Sequence, residues 1–131
     1  MDADSEKSIP PDFQFNSILD TDYLKYFYND DMEYAAEIFQ AFLTYSIPEL
    51  KKLKPLIKSD NRETAGLIAH KLRPKFPMVG LTGLEPKMSF IHKAIKNGSS
   101  KAELLILIES FEKETERYLP VIKEDIKKMN N

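Results

Sequence analysis

Ala69-His70-Lys71-Leu72-Arg73, followed by Gly80 ten positions after the histidine, is the one stretch of this chain whose residue types and spacing point to a chemistry. His70 is one of only two histidines, and it stands in a basic neighbourhood of Arg62, Lys71, Arg73 and Lys75 against Glu63 alone between Asn61 and Gly80. An imidazole has an ordinary pKa of about 6.5, so near neutral pH it keeps a free ring nitrogen that can take a proton or a phosphoryl group. Flanking cations suit a site that receives negative charge.

The direction in which His70 points follows from helix phase. At about 100° per residue, Ala65, Ile68, Ala69, Leu72, Phe76 and Val79 fall roughly 160° to 260° from His70 and form a core stripe. Glu63, Gly66, Leu67, Arg73, Pro74 and Pro77 fall within about 60° of it. The wheel therefore turns His70 to solvent. Gly66 leaves space beside the ring, and Leu67, Pro74 and Pro77 set apolar surface around it, a face suited to docking another protein. Lys75 lies about 140° away and serves general steering.

A series of helices must hold this face. Met1 to about Pro11 is polar and offers little apolar surface to offset the entropy of ordering it, so residues 1–17 are expected to form a flexible tail or linker, with Phe13, Phe15 and Ile18 pinning its end to the body. Asp20 or Thr21 caps a short accessory helix carrying Leu24, Phe27 and Tyr28. From about Asp31 to Ile57, the residues Phe39, Leu43, Leu50, Leu53 and Ile57 repeat at helical steps, with Ser46 as the one polar step and a kink expected at Pro48. Ser59-Asp60-Asn61 is a connector and cap for the helix that carries Thr64 to Arg73. Thr82 and Glu85 have capping-box spacing ahead of Leu84, Met88, Ile91 and Ile95, and Asn97-Gly98 closes that helix with a left-handed turn. Ser100 and Glu103 repeat the capping box ahead of Leu104, Ile108, Phe111, Tyr118, Ile122 and Met129, in a last helix expected to bend at Pro120. No segment alternates as a strand would. Residues 18–131 thus read as one all-α domain, an antiparallel four-helix bundle with a short extra N-terminal helix.

Composition bounds the rest. The chain has 131 residues, enough for one domain, and a formal charge of -2, which gives no general affinity for nucleic acid or an anionic membrane. It has no Cys, and no apolar run approaches the roughly 20 residues a membrane span needs. The acidic, proline-containing start is unlike a signal peptide, so the expected setting is cytoplasmic. Two histidines without Cys or His-Glu-x-x-His spacing argue against a metal site, and four scattered glycines make no phosphate-cradling loop. Intrinsic kinase activity is therefore not expected. His92, beside Ile91, reads as a surface or interfacial histidine rather than a second acceptor.

With these residues in view, the chain resembles a histidine-containing phosphotransfer (HPt) domain. In that family a helix carries Ala-His-x-Leu-(Lys or Arg), and a glycine stands ten positions after the histidine. Ala69, His70, Leu72, Arg73 and Gly80 match that motif. Tyr23-Leu24, the long helix with Pro48 and the Asp60-Asn61 connector extend the similarity over residues 18–128. The resemblance implies a phosphorelay intermediate of two-component signalling. His70 would accept a phosphoryl group through Nε2 from the aspartyl phosphate of a response-regulator receiver domain and pass it to another receiver aspartate. Mg²⁺ would come from the receiver, leaving no intrinsic cofactor. Lys71 and Arg73 would meet the transferring oxygens or the receiver's acidic groups, Arg73 foremost. The implied partner is a receiver domain, free or part of a hybrid sensor kinase, with this chain a monomer or the cytoplasmic portion of a larger membrane-bound kinase. Pro74 departs from the family, which commonly has Gly or Ser there. It and Pro77 predict a helix that bends or loosens after His70. Two consequences stay open: a freed His70 carbonyl beside the ring, or altered docking. A module that binds a receiver without transferring phosphate is the alternative.

Overall fold

A computed structural model describes residues 9–130, and every element among them is helical, with no strand. Part of the expected tail, residues 1–8, lies outside the described residues. Packing on the body starts before residue 18. Phe15 is buried and stacks on Phe39 with ring centroids 5.6 Å apart, Phe13 meets it edge-on at 5.2 Å, and the Asn16 N–H donates to Asp125 over 2.9 Å. Ile18, expected to help pin this stretch, is exposed; Leu19 is buried in its place.

Helix α1 (Thr21–Tyr28) starts where the Asp20 carboxylate accepts from the Tyr23 N–H, and α2 (Met32–Ala41) starts the same way at Asp31 and Tyr34. Each cap satisfies an amide that the helix leaves without a partner. The long second arm does not simply kink at Pro48. After α2 the chain widens into a π-helical stretch, Phe42–Ser46, in which the Ile47 N–H reaches back five residues to the Phe42 carbonyl, and it continues as α3 (Ile47–Lys51) and α4 (Leu53–Lys58). Pro48, which has no N–H, falls in the first turn of α3, where none is needed. Phe42 is buried here, while Leu43, expected in the stripe, is only half-buried.

Helix α5 (Arg62–Leu72) is capped by Asn61, whose side chain accepts from the Thr64 N–H. It is followed by three 3₁₀ turns, Arg73–Lys75, Pro77–Val79 and Thr82–Leu84, then by α6 (Glu85–Lys96) and α7 (Lys101–Met129). The expected stripe is buried as a set: Ala65, Ile68, Ala69, Leu72, Phe76 and Val79. The α2 to α4 arm packs on α5, α5 on α6, α6 on α7, and α7 back on α2 and α4, enclosing one continuous core. No helix among the described residues is long and apolar enough to cross a membrane.

Two capping expectations end differently. Ser100 and Glu103 form the reciprocal capping box that starts α7. Thr82 and Glu85 do not: the Thr82 hydroxyl donates to Asp20 over 2.8 Å, and Glu85 is taken by Arg73. At the end of α6 the left-handed residue is Gly98, with the Ser99 N–H donating to the Ala94 carbonyl over 3.1 Å, a Schellman closure. Pro120 lies inside α7, which runs through it.

Candidate functional site

Helix α5 carries His70 near its end. Ala69 and Leu72 are held in the core, so His70 points away from it and is exposed, as helix phase requires. α6 runs back alongside. Arg62 at the start of α5 donates to the Ser99 and Ile95 carbonyls at the end of α6 over 2.5 and 3.4 Å, while Arg73 just beyond α5 meets Glu85 at the start of α6. Two arginines thus clamp the antiparallel pair at both ends. Between the clamps lies an open groove of about 690 Å³, with Glu63, Gly66, Leu67 and His70 on one wall and His92, Ile95 and Lys96 on the other.

The His70 and His92 rings face each other across this groove, their centroids 5.3 Å apart and their planes inclined by 46°. His92 is half-buried. Burial, then the positive charges of His70, Lys96, Arg73 and Lys93, hold its imidazole below the usual histidine value. It is therefore neutral over a wider pH range than an ordinary histidine. Leu67 is 58% exposed and supplies the apolar rim. At Gly66 an added Cβ would lie 3.8 Å from the Ile95 side chain, an ordinary contact, so the glycine keeps the floor of the groove low without being sterically required.

The other sequence-chosen residues lie outside the groove lining. The Arg73 guanidinium donates to Glu85 from Nε and Nη2, each over 3.2 Å, and both side chains are about one-third exposed. Lys71 is exposed and enters none of the ion pairs among the described residues. Of the two flanking cations it is the one at liberty to follow an approaching anion. Pro74 is exposed and Pro77 half-buried.

Pro74 has a definite local effect. It cannot donate an amide to the His70 carbonyl, and α5 ends two residues after His70. Rather than opening, the chain tightens: Arg73 and Phe76 keep right-handed helical dihedrals, and the 3₁₀ turns carry Phe76 and Val79 into the core. Gly80 ends this run with φ 79°, its N–H donating to Pro77 and that of Leu81 to Phe76, each over 2.9 Å. A Cβ on Gly80 would lie 2.7 Å from Leu19 Cβ and 2.9 Å from Leu24 Cδ1. The motif glycine is therefore demanded twice, by dihedral and by space. α1 braces the same turn: the Asp20 N–H donates to the Gly80 carbonyl over 2.9 Å and the Tyr28 hydroxyl to Met78 over 2.6 Å.

No family model, no curated relative and no solved structure matches this chain. The site must therefore be read from its own chemistry. Among the described residues no group of three or more His, Asp or Glu converges as metal ligands would. Glu63 is the one carboxylate in the groove lining among the described residues. The groove offers an exposed imidazole, a second one held below the usual histidine value, cationic side chains and an apolar lip, groups that can meet an anion.

His92, which the sequence marks as a surface or interfacial histidine, and Glu85, which it marks as a helix cap, are the residues the structure sets beside His70 and Arg73. Glu85, Ser89, His92 and Lys96 recur at steps of four, three and four, a polar stripe on one face of α6, and that periodicity was available as a signal. It could not say that the stripe lies against His70.

Proposed function

We propose that this chain is an HPt-like phosphocarrier, an antiparallel four-helix bundle with a short extra N-terminal helix, in which His70 relays a phosphoryl group between receiver aspartates. The observation that carries this reading is the position of His70: exposed on α5, directly opposite a fully buried stripe, on the wall of an open groove with an apolar rim. A nucleophile displayed this way is useless for a buried reaction and suited to one completed by a partner's pocket.

In the proposed step the Nε2 lone pair of neutral His70 attacks the phosphorus of a receiver aspartyl phosphate. The P–N bond forms as the P–O bond to the carboxyl breaks, and the aspartate leaves with the bonding pair. The His70 ring retains its Nδ1 proton, so the ring gains one positive charge while the aspartate gains one negative charge. Positioning and charge neutralisation dominate such transfers. Mg²⁺, in this reading, is supplied by the receiver's acidic pocket, as the resemblance implies. Lys71 and the Leu67 rim are the parts of this surface that meet the receiver.

A radiolabelled phosphorylated receiver tests this. Label should move to the wild-type chain as acid-labile phosphohistidine and should not move to His70→Gln. Label on His70→Gln would refute the assignment. The alternative, a module that docks a receiver but does not transfer, is favoured by one observation: Arg73, the basic residue of the motif, is occupied by Glu85. In that case His70→Gln binds the receiver as well as wild type, and neither chain is labelled.

A further inference from the structure

We propose that His92 is the proton-accepting partner of the phosphoryl group on His70: when the dianion forms there, His92 takes up a proton from solvent and holds the group with a charge-assisted hydrogen bond. This rests on the reading of His70 as the phosphoacceptor.

The geometry carries the argument. Centroids 5.3 Å apart leave the two imidazoles too far apart for close stacking, with the groove between them open to solvent. A tetrahedral phosphoryl group on one ring projects into that space, where an N–H···O⁻ bond of about 2.7–2.9 Å to the other ring is within reach. The electrostatics give the direction. Before phosphorylation, burial and then the surrounding cations hold His92 below the usual histidine value, which favours its neutral form. The charged groups facing it are His70, Arg73, Arg62 and Glu63 from the α5 side, and Glu85, Lys93 and Lys96 on its own helix. α7 also packs on α6 but adds nothing to the groove lining among the described residues. Since Glu85 is paired with Arg73, cations dominate, and a new dianion reverses the balance of charge at His92.

The consequence is a relay whose equilibrium depends on pH. One proton is bound for each phosphoryl group stored, so mild acid favours the phosphohistidine over the receiver's aspartyl phosphate. A hydrogen-bonding amide at this position could hold the group without the proton.

Phosphoramidate provides the test because it needs no receiver. The Nε2 lone pair of His70 displaces ammonia at phosphorus, the old P–N bond breaking as the new one forms. The full chain, labelled with ¹⁵N, is followed by NMR through the histidine titration range before and after this reaction. With only two histidines, His70→Gln assigns the ring signals. The His92 midpoint should rise by about 1–3 pH units on phosphorylation, as expected for an opposite charge at this range. In His92→Gln the phosphohistidine stays acid-labile, but its lifetime should lose the added inflection that follows the His92 titration in wild type. A His92 midpoint that stays or falls, label on His92 instead of His70, or an unchanged pH profile in His92→Gln would each overturn the inference. Receiver-driven labelling of His70 alongside a static His92 midpoint would sink this inference alone and leave the relay reading intact.

Discussion

His70 faces solvent because Ala69 and Leu72 are claimed by the core, and that much follows from helix phase alone. Its cationic neighbours are less easily read. Sequence proximity and the motif favour Arg73 as the anion contact, yet Arg73 is bonded to Glu85 while Lys71 is unencumbered among the described residues. The Glu85 partner was hidden because Thr82 and Glu85 have the spacing of a capping box, and nothing local says that Asp20 will take Thr82 instead. Lys71→Ala should therefore slow receiver association several-fold at low salt and much less at high salt, measured by stopped flow. Identical salt dependence in wild type and variant would show that Lys71 does not steer. Glu85→Gln should change stability by less than about 1 kcal/mol, since the pair is partly exposed and screened. It should raise receiver affinity by freeing Arg73 if that guanidinium reaches the partner, and leave affinity unchanged if it does not.

The turn between α5 and α6 and the cap of α7 show what an element's sequence can and cannot reveal. Ser100 with Glu103, and Asn97 followed by Gly98, were legible because every bond they make is local. The π-helical stretch at Phe42–Ser46 was not, because it depends on how one long arm spans the core while passing Pro48. Gly80 lies between these cases. Its place in the motif was visible, but the reason for glycine is tertiary: Leu19 and Leu24 of the N-terminal segment and α1 press on it. Gly80→Ala should cost about 2–4 kcal/mol, combining a left-handed dihedral with overpacking, read as a lower urea midpoint. A loss under about 1 kcal/mol would mean that the α1 brace yields easily. Ser100→Ala should cost about 1 kcal/mol by removing one half of the capping box.

At the scale of the molecule, the all-helical class and the continuous core were legible from periodicity, whereas the joining of the two chain ends was not. Asp125 is fully buried on α7, accepts the Asn16 N–H through Oδ2, and leaves Oδ1 without a partner among the described residues. Its helical position offers no hint of this, since Asn16 is far away in sequence. Burial raises the Asp125 carboxyl above the ordinary value of 3.8, against the lowering effect of the Asn16 amide. A carboxyl raised on folding binds its proton more tightly in the folded state. Its contribution to stability is fully present below the unfolded value and is lost as pH rises through the folded one. Asp125→Asn has no such titration, so its stability relative to wild type should improve steadily as pH rises from the unfolded Asp value toward neutrality. Urea midpoints that differ by a constant amount at every pH would contradict the assignment.

The proposed relay requires His70 to be an exposed acceptor completed by a partner. Rapid-quench transfer from a panel of phosphorylated receiver domains, with the labelled residue mapped by proteolysis under alkaline conditions, tests it most directly. Fast transfer is expected from at least one receiver, with all label on His70 and none in His70→Gln. Label on any other residue, or no transfer from any receiver that binds the chain, would contradict it.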